Sequence, residues 1–330
     1  DAFWSNADAA NGVGLENSYA QMLEYVAHYF NGNPDLKNDI AGFEIMNEPW
    51  PGSQWLPTLF GSPFFDTEEL TPFYDQAASA IRAVDPTTPI FFQQNLLANF
   101  GVPTHLGTVD QAHTVLSFHD YCLTAQLGID ALNALCPADS AAVAENAEAY
   151  AESHGTPAVM TEFGSSNDLP AIADTEQLIN QDHLNAMEFS YTGNNPTATN
   201  PNTQELVIDP SQPPVGDNVL TAKLAVIAEP SPQLVAGTPN SWSFDPGTET
   251  FNFNYSTEMA DGSGDFAAGA TTTISVPHIE YPNGYQVSVT GGHVVSGPNA
   301  DELVIASNSG ANTVTVVVNA SGTDSGSGAG

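Results

Sequence analysis

Ile40-Ala-Gly-Phe-Glu-Ile-Met-Asn-Glu-Pro49 decides the fold. Its first seven residues form a short apolar run of strand length, read as a strand buried on both faces. Upstream, Leu15 to Phe30 places Tyr19, Met22, Leu23, Val26 and Phe30 on one helical face, and Asn31-Gly-Asn-Pro34 stops that helix. Downstream the same alternation continues. Glu69 to Val84 reads as a helix ended by Asp85-Pro86, Ile90 to Gln94 as a strand, and Thr114 to His119 as another. Ala138 to His154 is helical by propensity, Pro157 to Glu162 is a strand, Ala171 to Asp182 a helix and Asn185 to Tyr191 a final strand. Apolar strands alternating with helices predict parallel βα units of an α/β protein, a partial TIM (β/α)8 barrel. The run supplies five strands where a closed barrel needs eight, so three units are expected before residue 1 and the chain reads as a fragment.

After about Thr192 the composition changes. Thr192 to Pro214 is dense in Asn, Pro and Thr and reads as a linker or long loop. Beyond it, short alternating segments follow: Trp242–Phe244, Thr250–Tyr255, Thr271–Val276, Tyr285–Thr290, Glu302–Ala306 and Thr313–Val318. Turn signals such as Pro282-Asn-Gly284 punctuate them, which predicts a small antiparallel β-sandwich. The expected domains are a barrel portion over 1–215, a sandwich over 216–322 and a disordered Ser/Gly tail over 323–330. The sandwich reads as a brace, because no row of exposed aromatics marks its strands; a binding module is the other reading.

Charge excludes whole classes of function. Thirty-nine acidic residues stand against three basic ones, Lys37, Arg82 and Lys223, for a net charge of −36. Such a surface repels phosphates and anionic headgroups, so neither nucleic acid nor electrostatic membrane binding is expected. Two explanations of the acidity stand side by side: solubility of a secreted protein, or adaptation to high salt. No apolar run is long enough to span a bilayer. Cys122 and Cys136, 14 positions apart, lack metal-ligand spacing and read as a disulfide, which implies an oxidising, extracellular setting. The eight histidines show no metal-binding spacing, so no catalytic metal and no cofactor are expected. A monomer is expected.

The chemistry lies at strand ends. Glu48 follows the strand of the opening stretch, and Glu162 ends a later one in Met160-Thr-Glu-Phe-Gly164. Barrel enzymes work at the C-terminal ends of their strands. Two carboxylates converging there can share glycoside hydrolysis, one as acid/base and one as nucleophile. Taken singly, each residue has a plainer reading: Glu48 as a helix-entry acid, His119 as a core histidine, Tyr121 as loop packing.

Asn47-Glu-Pro49 followed by Thr161-Glu-Phe-Gly164 is similar to glycoside hydrolase family 5, and His119-Asp-Tyr121 looks like that family's His-x-Tyr at the sixth barrel strand. Closer still is the endoglycoceramidase branch, which Phe43-Glu-Ile-Met-Asn-Glu-Pro-Trp50, Ser117-Phe-His-Asp-Tyr-Cys122 and Ala236-Gly-Thr-Pro-Asn-Ser-Trp-Ser-Phe-Asp245 resemble. The resemblance implies Glu48 as acid/base, Glu162 as nucleophile, Tyr121 steadying the nucleophile, and His119 and Asn47 touching sugar. It implies cleavage between glycan and ceramide in a glycolipid, with a cellulase-like endo-β-1,4-glucanase or a non-catalytic carbohydrate-binding protein as alternatives. Phe189 stands nearest to the family's sugar-platform Trp. Phe3-Trp4, Trp50, Trp55, Leu59, Phe60, Phe64 and Phe65 are candidates for a lipid slot, or for local packing.

Overall fold

The computed structural model describes residues 1–126, 129–192 and 205–322, which divide into two units. The Ser/Gly tail expected over 323–330 and most of the expected linker, 193–204, lie outside the described residues. One unit comprises Asp1–Ser165 and Asn185–Phe189; the other comprises Ser166–Leu184 and Ser190–Gly330.

The first unit is a five-stranded parallel sheet with neighbours in chain order: β1 (Phe43–Glu44), β2 (Ile90–Gln93), β3 (Thr114–Asp120), β4 (Ala158–Gly164) and β5 (Ala186–Phe189). It is the partial barrel expected. Its helices are α1 (Leu15–Asn31), α2 (Trp55–Leu59), α3 (Thr71–Arg82), the single turn α4 (Leu123–Gln126) and α5 (Cys136–His154). Small residues let α1 approach α3: Ala20, Leu23 and Ala27 are buried on the first, Ala77, Ala78 and Ile81 on the second. Gly155 in the left-handed region (φ 62°) ends α5, a conformation glycine adopts without steric cost.

Strand β1 is shorter than the apolar run suggests. Ile45 still donates to the Phe91 carbonyl at 2.9 Å, but the chain then leaves the ladder toward Glu48. Phe3, Trp4, Phe65 and Phe73 pack edge to face at centroid distances of 4.9–5.2 Å, and Phe65 is wholly buried. Phe65 is therefore core packing and Phe3 and Trp4 are half-buried in the same cluster, whereas Trp50, Trp55, Leu59, Phe60 and Phe64 are exposed.

The second unit holds α6 (Leu169–Asp182), α7 (Thr221–Ile227) and two four-stranded antiparallel sheets. The strands are β6 (Ser231–Leu234), β7 (Thr238–Asp245), β8 (Thr250–Ser256), β9 (Thr271–Ser275), β10 (Tyr285–Thr290), β11 (Gly292–Val294), β12 (Glu302–Ser307) and β13 (Thr313–Ala320). Sheet orders are β10-β13-β8-β7 and β11-β12-β9-β6. Alternate residues fill the core: Phe251, Phe253 and Tyr255 on β8 and Val314, Val316 and Val318 on β13, against Ile274, Leu303 and Ile305 of the other sheet. Each such side chain gains roughly 1.5–3 kcal/mol by leaving water. Trp242 ties α6 to β7, donating to Asn180 at 2.6 Å and stacking on His183 at 4.4 Å. Among the described residues no helix is long and apolar enough to cross a membrane.

A candidate glycosidase site at the strand ends

Three consecutive strands and one loop meet at the C-terminal edge of the parallel sheet. Glu48 lies just past β1 with φ 44°, the left-handed region that side chains rarely adopt, directly before a proline. Such a backbone costs about 1–3 kcal/mol and persists only when neighbours hold it. One does: the Glu48 amide donates to the side-chain Oε1 of Gln93, a buried residue ending β2, at 2.5 Å.

Glu162 on β4 stands in register with His119 on β3, where the pairing shifts between Phe118 and His119. Irregularities of this kind re-aim side chains beside active sites. His119 is completely buried. Its Nδ1 lies 3.0 Å from Glu48 Oε1 and 3.2 Å from Glu162 Oε2, so it bridges the two acids. Acceptors on both sides assign the proton to Nδ1; Nε2 is buried without a partner among the described residues. Tyr121, just past β3, donates to Glu162 Oε2 at 2.5 Å. Its hydroxyl is held protonated, raised above the usual tyrosine range by burial and then by Glu162.

One oxygen from each carboxylate and His119 Nδ1 all lie within 4.8 Å of one another. Retaining glycosidases hold their carboxyl groups about 5–5.5 Å apart and inverting ones about 6.5–9.5 Å. The engaged oxygens of this pair are no more than 4.8 Å apart, on the short side of that comparison. Burial raises the Glu162 carboxyl above the ordinary range; Glu48 and Glu44 add to the rise, while His119 and the Tyr121 hydrogen bond oppose it. The same three donors form a cluster that could hold a metal ion, although Tyr121 and Asn99 already serve the two carboxylates.

Several neighbours escaped the sequence reading. Asn99, buried on the 3-10 turn Leu96–Phe100, donates from Nδ2 to Glu48 Oε1 at 2.9 Å. Glu44 on β1 accepts from Ser117 of β3 at 2.5 Å, and Ser117 meets Thr161 of β4 at 3.0 Å. Glu188 on β5 lies against Gly164 and acts electrostatically on Tyr121. Of the remaining expected residues, Asn47 is exposed beside Glu48, Phe189 is half-buried at the end of β5, and Trp50 is 46% exposed and stacked on Trp55 at 6.3 Å. Cys122, just past β3, and Cys136, opening α5, have their sulfurs at bonding distance with Cα atoms 5.2 Å apart. A cavity of about 480 Å³ opens at the other end of the strands, lined by Pro89, His113, Thr114 and Pro157, away from both acids.

Paired acids at the C-terminal strand ends of a parallel β/α sheet are the arrangement found in barrel glycoside hydrolases. The chain belongs to glycoside hydrolase family 5: the cellulase (glycosyl hydrolase family 5) model matches residues 3–198, and the glycoside hydrolase family 5 C-terminal domain matches 230–318. Endoglycoceramidase I of Rhodococcus hoagii is 28% identical over 334 residues, 98% of this chain and 60% of that protein. An endoglycoceramidase of Hydra vulgaris is 35% identical over 112 residues, 33% of this chain and 21% of the relative. The chain thus spans about three-fifths of its Rhodococcus relative. Among solved structures, endo-glycoceramidase II from Rhodococcus sp. superposes with a TM-score of 0.72 at 23% identity, over 97% of this chain and 68% of that one. An endogalactoceramidase superposes with a TM-score of 0.62 at 17% identity, over 97% and 64%.

Proposed function

We propose that this chain belongs to a retaining endo-β-glycosidase that cleaves the bond between glycan and ceramide, or a related lipid, in glycolipids. The observation that carries the reading is the carboxylate pair bridged by His119. Glu162 attacks the anomeric carbon, forming a carbon–oxygen bond as the bond to the aglycone breaks. The departing oxygen keeps that electron pair and takes a proton from Glu48. Water, deprotonated by Glu48, then displaces Glu162 and frees the glycan. Tyr121 steadies the nucleophile, and Asn47 and Phe189 contact sugar. The relatives support this class: related structures from Rhodococcus sp. include a lactosyl-enzyme intermediate and a ganglioside GM3 complex.

Aglycone chemistry favours lipid over polysaccharide. Trp50, Trp55, Leu56, Leu59, Phe60 and Phe64 are all at least 40% exposed on the segment that follows Glu48. Exposed apolar clusters of this size mark binding surfaces. With a net charge of −36, contact with a lipid surface here is apolar rather than electrostatic. The remaining parts of the reading are a barrel portion over 1–215, a bracing sandwich over 216–322, a native Cys122–Cys136 disulfide, a secreted protein and a monomer.

The test is hydrolysis, by a polypeptide carrying three further upstream barrel strands, of a glycosylceramide against a soluble β-glucan. Release of intact glycan from the glycosylceramide supports the reading. Turnover of the glucan alone makes it an endoglucanase, and binding without turnover of any β-glucoside makes it a carbohydrate-binding protein.

A further inference from the structure

Each candidate catalytic carboxylate has one oxygen engaged and one open. On Glu162, Oε2 accepts from Tyr121 and faces His119, leaving Oε1 with no partner among the described residues. On Glu48, Oε1 accepts from Asn99 Nδ2 at 2.9 Å and faces His119 Nδ1 at 3.0 Å, leaving Oε2 with no partner among the described residues. A carboxyl group delivers its proton from the oxygen that carries it, and an oxygen already accepting two hydrogen bonds is the poorer place for that proton. We infer that Asn99 is a positioning residue for the acid/base step: it fixes Glu48 Oε1 as the acceptor oxygen, so that the transferred proton sits on Oε2. This rests on the glycosidase reading above and adds to it a residue the motifs do not contain.

The loop is built to hold that amide still. Asn95 opens the 3-10 turn, its Oδ1 accepting from the Leu97 amide at 3.0 Å while its Nδ2 donates to Asp66 at 2.8 Å. Asp66, buried in the turn Phe65–Leu70 that leads into α3, also accepts from Thr104 at 3.2 Å and from the His105 amide at 2.6 Å, tying the loop to that turn. Gly101 closes the turn at φ 74°, and Asn146 of α5 donates to its carbonyl at 3.0 Å. Asn99 itself is 5% exposed. A buried amide on a clamped turn loses little entropy when it orients Glu48, which is the condition for accurate positioning. The amide's orientation follows from its partner: an ionised carboxylate accepts only, so the NH2 side must face it. The backbone at Glu48 asks for such support, since its φ of 44° is not one the residue adopts unaided.

The atoms balance in the ordinary way for this step. The Glu48 Oε2–H bond breaks, that proton joins the departing oxygen, and the negative charge left on Glu48 is shared with Oε1, where Asn99 meets it. Asn99 therefore matters when the leaving group needs the proton and little when it does not.

The experiment compares Asn99→Ala and Asn99→Leu with the wild type in a polypeptide that carries the upstream strands. One substrate has an alkyl aglycone, such as the glycosylceramide itself; the other is a dinitrophenyl β-glycoside, whose leaving group departs without protonation. General acid catalysis contributes about 10²–10⁴-fold, and loss of one orienting donor is expected to remove about 10- to 100-fold of that from kcat/KM on the alkyl substrate. On the dinitrophenyl substrate the loss in the glycosylation step stays under about threefold for the same reason. Leu fills the space of Asn without a donor, so the pair separates lost volume from lost hydrogen bond; thermal unfolding confirms that each variant is folded. Equal losses on both substrates, or no loss on either, overturn the assignment of Asn99. A wild type that cleaves neither substrate overturns the glycosidase reading instead.

Discussion

Tyr121→Phe tests the nucleophile side of the site with the least disturbance. The substitution removes one hydroxyl and leaves the ring, which packs edge-on against His119 at 6.0 Å. The hydroxyl donates to Glu162 Oε2 at 2.5 Å. Hydrogen bonds to charged acceptors contribute about 1.5–3 kcal/mol. The Glu162 side chain is 23% exposed and therefore not fully shielded, so the lower part of that range applies. About 1.5–2 kcal/mol lost from the transition state lowers kcat/KM roughly 10- to 30-fold. A second readout has a definite sign. Glu162 must be ionised to attack, burial already pushes its carboxyl up, and the Tyr121 hydrogen bond pulls it down. Without that bond the group rises further, so the acid limb of the kcat/KM profile moves to higher pH. The assay is steady-state hydrolysis of an aryl β-glycoside from pH 4 to 8, with the upstream strands present. An acid limb that stays in place or moves to lower pH, with a rate within threefold of wild type, refutes the assignment of Glu162 as the attacking group.

Three further outcomes are expected. Partial burial raises both Glu280, near Glu229 and Glu249, and Glu16, near Glu69, from 4.5 to about 7. The fold binds their protons more tightly than the unfolded chain, so their contribution is present below about pH 4.5 and is lost as pH rises through 7; the thermal midpoint should fall between pH 5 and pH 8, and Glu280→Gln should flatten that fall. If the net charge of −36 reflects adaptation to salt, raising NaCl from 0.01 M to 1 M, which shortens the screening length from about 30 Å to about 3 Å, should raise the midpoint by several degrees; a change within about two degrees favours solubility as its reason. Phe60 is 81% exposed, so Phe60→Ser should leave unfolding unchanged yet raise KM about tenfold for a glycosylceramide in detergent micelles, with no change for a water-soluble aryl glycoside.

The parallel sheet was legible because its signals are local. Ile90–Gln93, Thr114–Asp120 and Ala158–Gly164 are apolar runs bounded by turn residues, and the structure places strands there within two residues of the expected ends. The sandwich strands β8, β10 and β13 were equally plain from alternation. Strands β6 and β11 were not: Pro232 sits in one and Gly292 begins the other, and neither offers an apolar alternation. Gly291 between β10 and β11 has φ 77°, and a side chain there would collide with the Thr313 carbonyl, so the corner is set by a contact 22 positions away. Phe60 and Phe65 illustrate the same boundary. Both are aromatic residues in one loop-like stretch, yet one is 81% exposed and the other 0%, because the aromatic cluster around Phe73 buries the second.

The site divides along the same line. Glu48 and Glu162 announce themselves, since an acid at the end of an apolar strand is a short-range pattern with a chemical reason. Asn99 does not. It lies in Leu96-Leu-Ala-Asn-Phe100, which reads as core, and reaches Glu48 across 51 positions only once β1, β2 and the clamped turn are in place. His119 shows why this matters for mechanism. The family resemblance implies a sugar contact for it; the structure shows it buried behind both acids and bridging them, with Nδ1 3.0 Å from Glu48 and 3.2 Å from Glu162. A histidine in that position lets two acids approach without full mutual repulsion, because a donor stands between the engaged oxygens. The close approach of the two acids thus depends on a residue between them as much as on the strands that carry them.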